Sequence, residues 1–378
     1  MDLDQILSLV GKLDDSPGEE TARQRFRRFL TESVKEVGQV RDSIEQCLRN
    51  SGEQYSRALQ DLVNHLGHFL GFDVDFGRYQ GVVGQLGFDG HWKSSSTGLH
   101  VVIEVKTTEV YAIKTASLTG YVDGLISEKL IPDWDSALGL YVVGRPNPEL
   151  RQLENAIIAE KRTAQLRVVS VGSLLTLAEM MHEFDVSHKD ILSILRPSGP
   201  MIDPLVNLMA GLVAQTELEE AVEQAAAPPL EVPAGETAYW LTPIRSDEEQ
   251  TAEQGVESLV GKAKIYAFGE RTPGRKHLKP GDWICFYATG TGVVAHARVA
   301  SAPEKKEDPR VRHAETYPWV FKVETAKLYL ESPIAIDASL RGHLEAFKGR
   351  VSNKSWAWFV QTTRRISKQD FEALTAAE

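Results

Sequence analysis

The residues best equipped for chemistry lie in two neighbouring stretches, Gly87-Phe-Asp89-Gly-His-Trp92 and Ile103-Glu104-Val-Lys106. Both read as extended segments. On a strand, successive side chains point to opposite faces. Val101, Ile103 and Val105 would face apolar packing, and Glu104 and Lys106 would share the other face, about 6–7 Å apart. Asp89 precedes them on a segment that should pair with theirs, so the three side chains can converge. Hard Mg²⁺ takes oxygen ligands and keeps several waters, so two carboxylates and a phosphate oxygen suffice to hold it. Mn²⁺ fits the same set. Such an ion polarises a phosphate and lowers the pKa of an attacking water. A lysine beside it can orient that water and offset the charge of the pentacoordinate state.

Competing readings exist for each residue. Glu104 and Lys106 could be a solvated strand face. Asp73 and Asp75 compete with Asp89. Asp89 is preferred because Gly87 and Gly90 permit close approach of a phosphate and because its strand is the neighbour in sequence. His91 reads as a packing or surface residue rather than a base. Thr107, Thr108 and Glu109 read as a solvated strand end with an assisting role as the alternative.

The surrounding periodicities supply the elements that position this set. Residues 1–50 read as a helical extension, with Glu19–Arg49 carrying Phe26, Phe29, Leu30, Val34, Val37, Val40 and Ile44 close to a 3.6 period after a break at Pro17-Gly18. A second helix spans 53–71 on the stripe Tyr55, Leu59, Leu62, Val63, Leu66, Phe69, Leu70 and ends at Gly71. Strands are expected at 72–76, 82–92 and 99–106, the last two joined by a Ser/Gly turn. A helix at 115–130, a buried strand at 137–143, a helix near 149–162 and a strand at 166–171 follow. This order indicates a mixed α/β sheet with helices on both faces. Residues 172–215 return to helix, interrupted at Arg196-Pro-Ser-Gly-Pro200, and the Ala-, Glu- and Pro-rich stretch that follows reads as a linker over 216–237. From Ala238 the chain becomes aromatic-rich, with short strand candidates at Tyr239–Leu241, Trp283–Tyr287, Val293–Val299, Trp319–Val323 and Ala357–Gln361, and a closing helix near 368–376. That spacing suggests a small β-barrel or sandwich.

Composition narrows the function classes. The net charge of −11 argues against coating nucleic acid by bulk charge. Residues 238–378 carry 21 Lys plus Arg and 18 Asp plus Glu, a net +3, so the remainder holds −14. No apolar run approaches the ~20 residues of a membrane helix, and the N-terminus lacks the basic region of a secretory signal. Cys47 and Cys285 form no CxxC pair and suggest neither zinc nor a disulfide framework. A cytoplasmic setting and no membrane partner are therefore expected.

Asp89, Glu104 and Lys106, within this order of elements, resemble the PD-(D/E)XK, or restriction-endonuclease-like, superfamily across about residues 50–185. The later Leu166-Arg-Val-Val-Ser-Val-Gly-Ser-Leu-Leu175 is similar to the strand–helix ending of its restriction-endonuclease members. The resemblance implies a nuclease domain over 51–215 with trailing helices. It also implies a further helix carboxylate in the metal shell, for which Glu53 is the candidate; the alternative is a first-turn residue stabilised by the helix dipole.

A second resemblance runs through Tyr239-Trp240-Leu241, Lys279-Pro-Gly-Asp-Trp283-Ile-Cys-Phe-Tyr287, Gly292-Val-Val-Ala-His-Ala-Arg-Val299 and Ser352-Asn-Lys-Ser-Trp356-Ala-Trp358. This pattern is similar to the EVE, YTH and PUA-like small barrels and covers the domain 238–378. It implies an aromatic pocket for a modified, flipped base, since such a base needs stacking surfaces and edge hydrogen bonds. The candidates are Trp240, Trp283, Tyr287, Trp356 and Trp358, of which at least half should be core. Trp356 and Trp358 should share a strand face. Arg275, Lys276 and Lys279 in the loop 271–279, and the basic segment Lys305–His313, are candidates for tracking phosphates.

Together these expectations describe a modification-dependent restriction endonuclease acting on DNA, with a homodimer supplying the two sites that double-strand cleavage needs. The alternative is a catalytically silent or RNA-directed nucleic-acid-binding protein.

Overall fold

The computed structural model describes residues 2–81, 86–106, 115–145, 150–183, 186–196, 199–210, 237–246, 249–270, 272–348 and 356–376. They fall into two compact units, the first ending at Met209 and the second holding the later elements. Among the described residues no helix is long and apolar enough to cross a membrane.

The first unit begins with α1 (Leu3–Val10), α2 (Ala22–Ser33) and α3 (Val37–Arg49). Asp2 and Thr21 start the first two with reciprocal caps to Gln5 and Gln24, which satisfy otherwise orphaned N–H groups. The single helix expected over 19–49 is thus two, broken at residues 34–36. The apolar period runs through that break because Val34 within it and Val37 just after it are both buried. Then come α4 (Glu53–Phe69), β1 (Asp73–Phe76), β2 (Gly90–Lys93), β3 (His100–Lys106), α5 (Thr115–Ser127), β4 (Ala137–Val143), α6 (Leu150–Ala159), β5 (Leu166–Ser170), α7 (Val171–Glu183), α8 (His188–Leu195) and a helix at residues 203–210, α9.

The five strands form one sheet in the order β1-β2-β3-β4-β5. The pairs β1–β2 and β2–β3 are antiparallel, and β3–β4 and β4–β5 are parallel. Alternation splits β3 between two cores. Val101, Ile103 and Val105 pack with residues of α3, α4 and α7 on one face. Val102 packs with Leu118, Val122, Tyr141, Leu153 and Ile157, from α5, β4 and α6, on the other. The unit is therefore a mixed α/β layer structure, and Glu104 lies on the α5–α6 side. Buried Arg41 of α3 donates to Glu179 of α7 at 2.6 Å and so pins the opposite layer. Strand β2 is shorter than the expected 82–92: residues 86–89 precede the strand proper, and 82–85 lie outside the described residues.

The second unit contains β6 (Tyr239–Ile244), α10 (Ala252–Val256), β7 (Ile265–Phe268), β8 (Trp283–Ala288), β9 (Gly292–Val299), β10 (Glu304–Lys305), β11 (Trp319–Leu328), α11 (Ala338–His343), β12 (Arg364–Ile366) and α12 (Lys368–Thr375). Its sheet runs β10-β11-β9-β8-β6-β12, with β7 also paired to β11. Only β6–β8 is parallel. Among the described residues no ladder closes the sheet into a barrel. The strand expected at 357–361 is instead a 3₁₀ turn, Ala357–Phe359. Trp356 and Trp358 therefore do not share a strand face.

Candidate active site

Glu104 and Lys106 point from the same face of β3, and the Lys106 amine contacts Glu104 Oε1. Glu104 is buried, yet its Oε2 is enclosed without a hydrogen-bond partner. A buried carboxylate oxygen left unsatisfied is costly, and this one lies beside Tyr141, the parallel-register neighbour of Glu104 on β4.

Asp89 enters the same place from the segment before β2. Its N–H donates to Ile103 O at 3.0 Å, continuing the β2–β3 ladder by one residue. Its Oδ2 accepts the Val105 N–H at 2.6 Å. That bond brings Asp89 against the Glu104–Lys106 strand, on the side that Glu104 occupies. Asp89 keeps some solvent exposure, but surrounding protein and the charge of Glu104 push its carboxyl up to about 8, while the Val105 N–H and Lys106 pull the other way. Two carboxylates repelling each other in one site is the arrangement that a shared proton or cation relieves.

The Asp89 backbone is held by α4. Asn64 Nδ2 donates to Asp89 O at 2.9 Å, Gln60 Nε2 reaches it at 3.3 Å, and the Gly77 N–H donates to it at 2.9 Å. Asn64 is fully buried, and its Oδ1 accepts from Trp92 Nε1 at 2.9 Å. Gly77 and Gly90 are required by this closeness: a Cβ on Gly77 would strike the Phe88 and Asp89 backbone, and one on Gly90 would strike the Asn64 amide. The Asp61 carboxylate of α4 accepts from Arg27 and, at 2.5 Å, from Tyr79, and Arg27 also donates to Gly77 O at 2.7 Å.

Two predictions arise here. Asn64→Ala leaves the Trp92 N–H unpaired and removes a donor from Asp89 O; it should lower unfolding free energy by about 1–3 kcal/mol in denaturant titration. Gly77→Ala should cost about 1–3 kcal/mol, because backbone rather than a flexible side chain must move.

No protein-family model matches the chain, and no curated protein matches it. Among solved structures it is similar to restriction endonuclease FokI, with a TM-score of 0.32 and 16% identity over 40% of this chain and 29% of that one. For FokI bound to DNA the TM-score is 0.33 and the identity 18%, over 48% of this chain and 33% of that one. The chain thus spans about a third of the length of the solved chains it matches.

Other candidates are placed apart from the carboxylate pair. Glu53 sits in the first turn of α4 and contacts Arg57. Gln60, which reaches Asp89, is seven residues further along, about 10 Å of helix rise. Among the described residues no group of three or more His, Cys, Asp or Glu side chains is arranged to hold an ion. Asp73 and Asp75 lie on β1, where Asp75 pairs in register with His91 rather than with β3. His91 hydrogen-bonds His100 at 2.9 Å. Thr107, Thr108 and Glu109 lie outside the described residues.

In the second unit, Trp240, Tyr287 and Trp356 are buried. Trp240 donates its indole N–H to Asp282 at 3.1 Å, and Trp356 lies under the Arg341 guanidinium at 4.7 Å. These three are core residues, not open stacking platforms. Trp283 and Trp358 are partly exposed. Trp283 packs by His296 and Phe371, and Trp358 lies under Arg364 at 4.7 Å. Arg275 is engaged by the Trp319 ring at 4.3 Å and by the carbonyls of Gly269 and Glu270. Lys276 is exposed, and Lys279 is partly buried in a turn whose backbone bonds Asp282. In the segment Lys305–His313, Lys305, Arg310 and Arg312 form ion pairs with Glu270, Asp308 and Glu249, so much of its charge is already matched.

Proposed function

We propose that the first unit is a divalent-metal-dependent phosphodiesterase that cuts DNA. One observation carries this reading: buried Glu104 has an orphaned Oε2, and its charge acts on a second carboxylate, Asp89, whose pKa is pushed up to about 8. Two hard oxygen donors fit Mg²⁺ or Mn²⁺, which accept few protein ligands and complete their shell with water and phosphate. Asp89 and Glu104 would hold the ion. When bound, it would supply Lewis-acid polarisation of the phosphate and acidify water. Lys106 contributes a cation at the same edge, where it would orient the attacking water or offset charge developing on the phosphate.

The second unit we assign to recognition of a modified base in DNA, as a PUA-like module. Burial removes Trp240, Tyr287 and Trp356 from the stacking set and leaves Trp283 and Trp358. Two sites are needed to cut both strands, so a homodimer is proposed, checked by sedimentation.

The test is incubation with Mg²⁺ or Mn²⁺ and unmodified, cytosine-modified or adenine-modified DNA, alongside RNA. Cleavage of one modified DNA, lost in Lys106→Ala, is the expected result. Equal cleavage of every DNA refutes modification dependence, and preference for RNA redirects the substrate. Activity that survives Lys106→Ala removes the active-site assignment.

A further inference from the structure

Tyr121 is a residue the sequence did not single out. It lies on α5, packed against the core that contains Val102 and Tyr141, the residues flanking Glu104 along β3 and across to β4. Its hydroxyl reaches the segment leading into Asp89: a Cβ on Gly87 would stand 3.4 Å from Tyr121 Oη. Glu104, Asp89 and Lys106 all act on it electrostatically, and burial with the two carboxylates raises its pKa. The phenol thus stays protonated at neutral pH. Among the described residues it makes no hydrogen bond, although it is half-buried beside two carboxylates.

A neutral donor without a hydrogen bond, beside Gly87 and within electrostatic reach of two carboxylates, suits an anionic oxygen that arrives with the substrate. Glu104 and Asp89 are occupied on one side each, by Lys106 and the Val105 N–H. Gly87, next to the hydroxyl, leaves space that a larger residue would fill. We propose that Tyr121 Oη–H donates a hydrogen bond to a non-bridging oxygen of the phosphodiester seated against Asp89 and Glu104. The inference rests on the phosphodiesterase reading above and adds a substrate contact from α5, the helix layer that covers the Glu104 face of the sheet. Hydrogen bonds to charged groups are stronger than neutral ones, and loss of such a donor typically costs about 10–100-fold.

The experiment compares wild type, Tyr121→Phe and Lys106→Ala as full chains. Phenylalanine keeps the ring and removes only the donor. Single-turnover cleavage by Tyr121→Phe should fall about 10–100-fold, with unchanged Tm and unchanged Mg²⁺ half-saturation. A rate within twofold of wild type overturns the proposal. So does a shift in Mg²⁺ half-saturation that accounts for the whole loss, since the phenol would then serve the ion. If Lys106→Ala is inactive while Tyr121→Phe is not, only this inference fails. If wild type cuts nothing, the phosphodiesterase reading fails separately. Duplex binding in Mg²⁺ then decides: about tenfold weaker affinity in Tyr121→Phe supports the contact, and equal affinity overturns it.

Discussion

Lys106→Ala should reduce single-turnover DNA cleavage by about 10²–10³-fold while leaving the fold intact, the scale expected when one charge-stabilising donor is removed from a reacting centre. Lys106 is partly exposed at the end of β3, so its loss opens no cavity. Its contact with Glu104 Oε1 holds the amine at the carboxylate edge. Lys106→Arg should not restore full activity, because a planar guanidinium does not replace a compact ammonium. Circular dichroism and Tm should match wild type. A fall in cleavage below tenfold would show that the amine only screens Glu104.

The second large effect concerns Asp89→Asn. The Asp89 carboxyl has its pKa raised from 3.8 to about 8 in the folded chain. Between those values the folded state holds a proton that the unfolded state has released. Stability from this group is thus complete below about pH 4 and is lost as pH rises toward 8. Each pH unit in that window corresponds to about 1.4 kcal/mol, so several units amount to a few kcal/mol. In EDTA, the Tm of wild type should decline from pH 5 to 8 relative to Asp89→Asn, whose amide keeps an oxygen for the Val105 N–H and carries no charge. Asp89→Asn should also lose Mg²⁺-dependent stabilisation and nearly all cleavage. In wild type, an ion held by Asp89 would have to displace the proton, so apparent Mg²⁺ affinity should rise up to tenfold per pH unit until about pH 8. Parallel Tm curves for the two proteins across this range would contradict the raised pKa.

These effects follow from geometry that was partly legible in the sequence. The facing of Glu104 and Lys106 was readable because strand side chains alternate with a period of two, and Val101, Ile103 and Val105 named the buried side. The approach of Asp89 needed the pairing of β2 with β3, which the intervening turn implied. Glu53 was not readable: its helix was clear, but the turn of α4 that meets Asp89 depends on how the helix docks. Gln60 and Asn64 left a signal, since they are polar residues spaced four apart within the stripe that includes Leu59, Leu62, Val63 and Leu66. Tyr121 left none, because α5 is mostly apolar and a lone tyrosine in it reads as packing. Trp356-Ala-Trp358 misled for the opposite reason: alternating aromatics imitate a strand, and here they straddle a 3₁₀ turn. Strands β7 and β12, of four and three residues, are too short to show a period.

The grip of Gln60 and Asn64 on the Asp89 carbonyl ties the proposed catalysis to tertiary docking rather than to local chain conformation. Should α4 slip from the sheet while remaining helical, the carbonyl would lose its anchors and the carboxylates would part. On the proposed function, warming should therefore extinguish cleavage ahead of the far-ultraviolet helical signal, and turnover would be the earlier thermometer of this protein's loosening.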